Sequence, residues 1–358
     1  MSGVPASDAT AASKMPTKPL LAVPNVSEGR AQATVQAIAQ AFTAHGMARL
    51  MDVHSDADHH RSVFTLAGVQ GELVSALLAG ARVAAQRIDV GEGRDPQDIG
   101  EHPHVGAVDV MPVVYLDASQ RGPACAEALV VAHQLGVELE VPVFLYGELA
   151  HGRTRADLRR GGVVGMAQRL KEGELRPDFG PPQLHPTAGG TLVAVREPLV
   201  AFNLELAPPA SLEDARRIAS LIREGGREGL EGVRAIGVPL RRAGRGDGEQ
   251  ARGDEGRAPS DREWADGEGV GDSKKGAPHA RAWGSPFGET VPQVSMNVER
   301  PLEVPLSAVV EAVRRHAEIA QGELVGLAPR AALQGFPADV PLVGFDGGVH
   351  IIENALGL

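Results

Sequence analysis

Leu20-Leu21-Ala22-Val23-Pro24-Asn25-Val26 is a short apolar run ended by the turn formers Asn25, Ser27 and Gly29, and it reads as a buried strand. Val35, Ile38, Ala39 and Phe42 follow at i, i+3, i+4 and i+7, which gives a helix one apolar face. Gly46 closes that helix. Two strand-like runs come next, around Ala48–Val53 and Ser62–Gly68, then a helix with Val74, Leu77, Leu78, Ala81 and Ala85 on one side. Beyond a loop rich in Gly, Asp and Pro stands Val108–Leu116, the most apolar strand of this half. The order β-α-β-β-α-β predicts the split βαβ arrangement of a ferredoxin-like sheet. A helix near Ala124–Glu140 and a strand at Val141–Tyr146 extend it.

The second half repeats the order. Leu199–Leu206 reads as a strand, and Ser211 starts a helix carrying Ala215, Ile218, Ala219 and Ile222. Val233–Leu240 and Gln293–Val298 read as strands, followed by a helix holding Val309, Val310, Val313 and Ile319 and a strand at Leu324–Leu327. The expected fold class is therefore α/β of the α+β kind. It has two lobes, each a ferredoxin-like βαββαβ sheet with helices on one face. The divisions are a disordered tail at 1–18, an N-terminal part at 19–186 and a C-terminal part at 187–358. Within the last, about 243–285 is dense in Gly, Arg, Asp and Glu and holds little to bury beyond Trp264, Val270 and Trp283. That composition predicts a disordered hairpin insertion.

Bulk properties narrow the function. In 358 residues the apolar fraction is 43 %, the charged fraction 23 % and the aromatic fraction 3 %, so the cores of a soluble globular protein must be filled by Val, Leu, Ile and Ala. A net charge of -11 argues against nucleic acid as a partner, yet leaves room for a local basic patch that binds a small anion. The single Cys125 excludes a disulfide framework and a thiolate metal cluster. No apolar run reaches the roughly 20 residues that span a bilayer, so no membrane association is expected. Residues 1–18 lack the apolar block of a secretory signal, and Met15 is an alternative start; the expected location is cytoplasmic.

Three clusters could carry chemistry. His54, Asp56, Asp58, His59, His60 and Arg61 bring together imidazoles and carboxylates, which suits a metal, an anion- or substrate-contacting loop, or a plain polar turn. No zinc spacing such as H-E-x-x-H occurs there. Arg61, entering a strand, suits a carboxylate. The second cluster is Gly100-Glu101-His102-Pro103-His104-Val105-Gly106-Ala107-Val108-Asp109. His102 and His104 share a face if extended, Pro103 favours that geometry, and the glycines let backbone approach a ligand. Catalysis and a structural role both remain open on these residues alone. The third runs from Arg176 through Gly189-Gly190-Thr191, as a ligand-binding segment between lobes or a Pro/Gly linker.

These segments resemble the formiminotransferase domain of the glutamate formimidoyltransferase family. The matching runs include Val23-Pro24-Asn25-Val26-Ser27-Glu28-Gly29, Arg61–Gly68, Gly100–Pro112, Val141–Glu148, Pro177–Gly190, Ala201-Phe202-Asn203, Gln293–Asn297 and Leu324–Pro329. Together the similar regions cover about 20–240 and 288–355. The resemblance implies transfer of a formimino group from N-formimino-L-glutamate to tetrahydrofolate as co-substrate, in histidine breakdown, with no metal. It implies His102 as the catalytic acid/base. It places substrate and folate contacts at Gly180, Pro181, Pro182, Gln183, Leu184, His185, Pro186, Thr187, Ala188 and Gly189, with Asn25, Arg61, Asp109 and Asn203. It further implies a homodimer, and vertebrate members carry a fused cyclodeaminase for which this chain is expected to be too short. Family members often have Asp at the place of His54 and Asn at that of His60, and vertebrate forms have Trp at that of Ala188. Three alternatives follow: a transferase preferring N-formylglutamate, a folate-binding protein without catalysis, and a metal-dependent amidohydrolase using the His54–His60 loop with His102 and His104.

Overall fold

The computed structural model describes residues 19–44, 48–57, 59–91, 104–241 and 290–358. His102, Asp58, the 1–18 tail and the 243–285 insertion lie outside the described residues.

The opening run forms two strand pieces, β1 (Leu20–Ala22) and β2 (Asn25–Val26). Pro24 has no N–H to donate, and the strand breaks at this point. Its carbonyl still accepts the Phe64 amide at 3.0 Å, and Val23 donates to the Pro112 carbonyl at 3.0 Å. Helix α1 (Gln32–Thr43) buries Val35, Ile38 and Phe42, the face its periodicity marks. Strands β3 (Arg49–Asp56) and β4 (Arg61–Gly68) form a hairpin, then come α2 (Leu73–Arg87) and β5 (Val108–Tyr115). β1 and β2 pair antiparallel with β4 on one side and β5 on the other, and β3 pairs with β4. That is the split βαβ order expected from the sequence.

Beyond it, α3 (Arg121–Glu138) leads to β6 (Val143–Gly147). Two helices missed in the sequence, α4 (Arg155–Arg159) and α5 (Gly162–Glu172), precede a missed strand, β7 (Thr191–Arg196). β7 lies parallel between β5 and β6. Strands buried on both faces need cover on both. Accordingly α1, α2 and α3 pack over one face, while Leu158 of α4 and Met166 of α5 cover Phe144, Tyr146, Leu192 and Ala194 on the other. One-sided layering therefore fails over β6 and β7.

Glu197, Pro198 and Leu199 join this sheet to the second. That sheet comprises β8 (Val200–Leu206), β9 (Val233–Arg241), β10 (Thr290–Val298), β11 (Ile319–Val325) and the short β12 (Leu342–Val343), ordered β12-β11-β8-β10-β9. Helices α6 (Leu212–Ile222) and α7 (Leu306–Arg314) bury Ile218, Ile222, Val309 and Val313 against one face. Ser211 caps α6 through a reciprocal box with Asp214. The helix expected to reach Ile319 ends at Arg314. The amides of His316 and Ala317 turn back on the Val313 carbonyl, and Ile319 opens β11 opposite Leu206. Two small C-terminal helices, α8 (Gly347–His350) and α9 (Ile352–Leu356), return to the first sheet, where Ile352 and Leu356 pack with Leu21, Ala67 and Val114.

α6 and β9 approach so closely that a Cβ on Gly237 would stand 2.3 Å from the Arg216 nitrogen. Backbone cannot yield as a side chain does, so Gly237→Ala should lower stability by about 1–3 kcal/mol. Urea unfolding followed by circular dichroism measures it.

Candidate active site

The Val23–Gly29 run does local work at each step. Asn25 pairs with Val63 and Val110. Ser27 donates through Oγ to the Gly106 carbonyl at 2.8 Å and through its amide to Ala107 at 3.0 Å. Glu28 accepts the amides of Arg30 and Ala31 just ahead of α1. Gly29 has no room for a side chain, since a Cβ would lie 2.1 Å from the Asp56 carbonyl oxygen. Its amide donates to Nδ1 of the buried His60 at 3.1 Å.

Between the two sheets lies a cleft of about 560 Å³. Leu21, Val23, Val63, Val110, Val114 and Leu327 give it an apolar floor. Six arginines line it, namely Arg61, Arg155, Arg159, Arg160, Arg196 and Arg234, and no carboxylate does among the described residues. Asn25 also borders it. A side chamber towards the β3–β4 hairpin shares Arg61 and Arg234 and adds His54, Asp56, His59 and Asn203. Burial pulls the Arg61 guanidinium down to about 10, with neighbouring Arg159 adding to the fall while Asp109 and Asp56 oppose it. Burial likewise holds Arg196 at about 10.

Arg159 pairs through Nη2 with Asp109, which is 2 % exposed. Oδ1 of Asp109 accepts the Val105 amide at 2.9 Å, so the pair ties the end of the H-P-H-V-G tract to α4. Nε of Arg159 is buried with no hydrogen-bond partner among the described residues. Thr154 caps α4 in a box with Asp157, and Arg155 lies over the Tyr146 ring, 6.0 Å from its centroid. The arginines of 153–160 escaped the sequence reading. The run Arg153-Thr154-Arg155-Ala156-Asp157-Leu158-Arg159-Arg160 held two signals, a T-x-x-D cap and four cations in eight residues.

The sequence-predicted residues divide into two places. Asn25 and Arg61 line the cleft, Asp109 is linked to it through Arg159, and Asn203 lines the side chamber while donating to Glu323 at 3.0 Å. In the hairpin, His59 Nδ1 stands 2.6 Å from Asp56 Oδ2. Among the described residues no three of His, Cys, Asp and Glu cluster as metal ligands.

Gly180 to Gly189 does not line the arginine cleft. It packs in the first lobe, with Gly180 against Val141 and Gly136, and ends in a His185–Gly189 turn. His185 Nδ1 accepts the Ala188 amide at 3.0 Å. Thr187 accepts the Val90 amide at 2.7 Å, and Ala188, itself buried, accepts that of Ala107 at 2.9 Å. Gly189 has φ +67°, and a Cβ on Gly106 would meet the Gly190 oxygen at 1.9 Å. The run therefore grips 90 and 105–107, on either side of 92–103. As a linker reading it is corrected, because β7 intervenes before the second sheet begins.

Asp109→Asn keeps an acceptor for Val105 but leaves the Arg159 charge without its buried counter-ion. Breaking such a pair costs about 3–5 kcal/mol, and thermal and urea denaturation should show a loss of that order.

Comparison with known proteins places the chain in a family. Residues 20–196 match the model of the formiminotransferase domain, N-terminal subdomain. A glutamate formimidoyltransferase of Streptococcus pyogenes serotype M1 is 37 % identical over 221 residues, 61 % of this chain and 72 % of that one. One of Thermoplasma acidophilum is 35 % identical over 206 residues, 56 % and 66 % of the two chains. The formimidoyltransferase-cyclodeaminase of Rattus norvegicus is 37 % identical over 208 residues, 57 % of this chain but 37 % of that protein. This chain belongs to the formiminotransferase family.

Proposed function

We propose that the protein is a glutamate formimidoyltransferase, moving the formimino group of N-formimino-L-glutamate to tetrahydrofolate to give 5-formiminotetrahydrofolate and L-glutamate. The observation that carries the reading is the cleft: an apolar floor flanked by six arginines, one of which, Arg159, pairs with Asp109 at the end of the His104–Asp109 segment. A flat ring system with a carboxylate tail suits the floor and the guanidiniums, and so does a small dicarboxylate. Arg61 and Asn25 hold substrate at the cleft floor, and Asn203 meets it from the second sheet. Gly180–Gly189 contacts folate beside His104 and Val105. Asp109 positions the tract.

Tetrahydrofolate supplies the nucleophilic ring nitrogen. That nitrogen loses a proton as its bond to the formimino carbon forms, and the glutamate nitrogen gains one as its bond breaks. His102 fills both roles in turn, as a group titrating near neutrality can. The reading extends to a cytoplasmic homodimer acting in histidine breakdown. No helix among the described residues is long and apolar enough to cross a membrane.

A second reading, transfer from N-formylglutamate, is favoured by His54, whose ring lines the side chamber and can donate to a carbonyl oxygen. A spectrophotometric assay with both donors separates the two. Tetrahydrofolate should be consumed only when a donor is present, and consumption with neither overturns the proposal. His102→Ala should lose about 10²–10⁴-fold in turnover while folate binding survives. Near-normal turnover would remove His102 from its role.

A further inference from the structure

Arg159 lines the arginine cleft and pairs with Asp109 of the His104–Asp109 segment, and one of its guanidinium nitrogens has no acceptor among the described residues. Nη2 is engaged by Asp109, whereas Nε is shut off from solvent without an acceptor. An unmet donor on a buried cation is costly, and sites carrying one are completed by an incoming group. Arg61 lines the same cleft, and the Arg159 charge adds to the burial that lowers its pKa, so two guanidiniums share this space. A planar, doubly accepting anion matches a pair of forks better than a point charge does.

We propose that Arg159 determines donor specificity, with its Nε–H donating to a carboxylate of the glutamyl one-carbon donor while its Nη2 holds Asp109. The inference rests on the transferase reading above. Two glutamyl groups could supply the carboxylate, the donor amino acid and the tail of the folate. Position favours the donor. Val105, bound by the same Asp109, follows His102 by three residues, a reach of about 11 Å at full extension. In the donor the α-carboxylate sits on the carbon next to the nitrogen that carries the formimino group. In folate the glutamyl carboxylates lie beyond the pterin and benzoyl rings, far from the reacting nitrogen.

The test uses the full chain and Arg159→Lys, which retains a cation for Asp109 and removes the Nε–H. Kinetics with each substrate varied should show KM for the donor raised about 10- to 100-fold and KM for tetrahydrofolate within about twofold. A rise confined to tetrahydrofolate would assign the carboxylate to the folate tail and overturn the proposal, as would unchanged constants for both. Calorimetry with L-glutamate, L-glutamine and L-isoglutamine reads the site without turnover. Wild type should bind glutamate and lose about tenfold or more with one of the two amides. Binding of all three alike, or of none, overturns the inference, and this arm holds even if Arg159→Lys does not fold. Absence of turnover with either donor, alongside glutamate binding that Arg159→Lys abolishes, would sink the transferase reading and leave the carboxylate site standing.

Discussion

The segment Leu20–Gly29 is hydrogen-bonded to two neighbouring strands at once through β1 and β2. β1 and β2 complete β4 on one edge and β5 on the other, and Ser27 then fastens the Gly106 and Ala107 backbone. A strand so placed cannot slip by one residue without turning its own apolar side chains to the opposite face and breaking its pairing with both neighbours. The hairpin that bears Asp56 to Arg61 is fixed relative to it by the close approach at Gly29. Both sides of the candidate site hang from this segment, the hairpin through β4 and the His104–Asp109 end through β5.

Electrostatics inside the cleft run against those of the molecule as a whole. The chain carries a formal charge of -11, yet its central cavity is walled by guanidiniums. Two unit charges 4 Å apart interact by about 4 kcal/mol at an effective dielectric of 20, so neighbouring arginines in a half-buried space repel appreciably. The lowered affinity of Arg61 and Arg196 for protons comes first from lost hydration, with repulsion from neighbouring arginines adding to it. An anionic substrate relieves both. A net negative exterior repels anions, so their attraction here is local to the arginine-lined space.

What the sequence disclosed follows from what periodicity can carry. Val35, Ile38 and Phe42 face the core because helical spacing reports a one-sided environment, and the βαββαβ order of both lobes emerged from such patterns. β7 escaped because Thr191–Val195 is buried on both faces and does not alternate. Ile319 was drawn into a helix by its apolar neighbours, although the polar Gln321 and Glu323 mark the open face of β11. Asn25 and Arg61, which line the cleft, were picked out through their motifs. Arg159 and Arg196 were not, since an arginine on a short helix or at a strand end looks like any solvated cation until the second lobe closes over it.

Residues 20–196, the span shared with the family's N-terminal subdomain, carry Leu21, Ala67 and Val114 on a face their own helices do not cover. The cover is Ile352 and Leu356, contributed by the far end of the chain. Inheritance and self-sufficiency thus have different borders in this protein. The matched segment would, cut free at Arg196, present an oily surface to water. Synthesis must pass Leu356 before this face of the first sheet is covered.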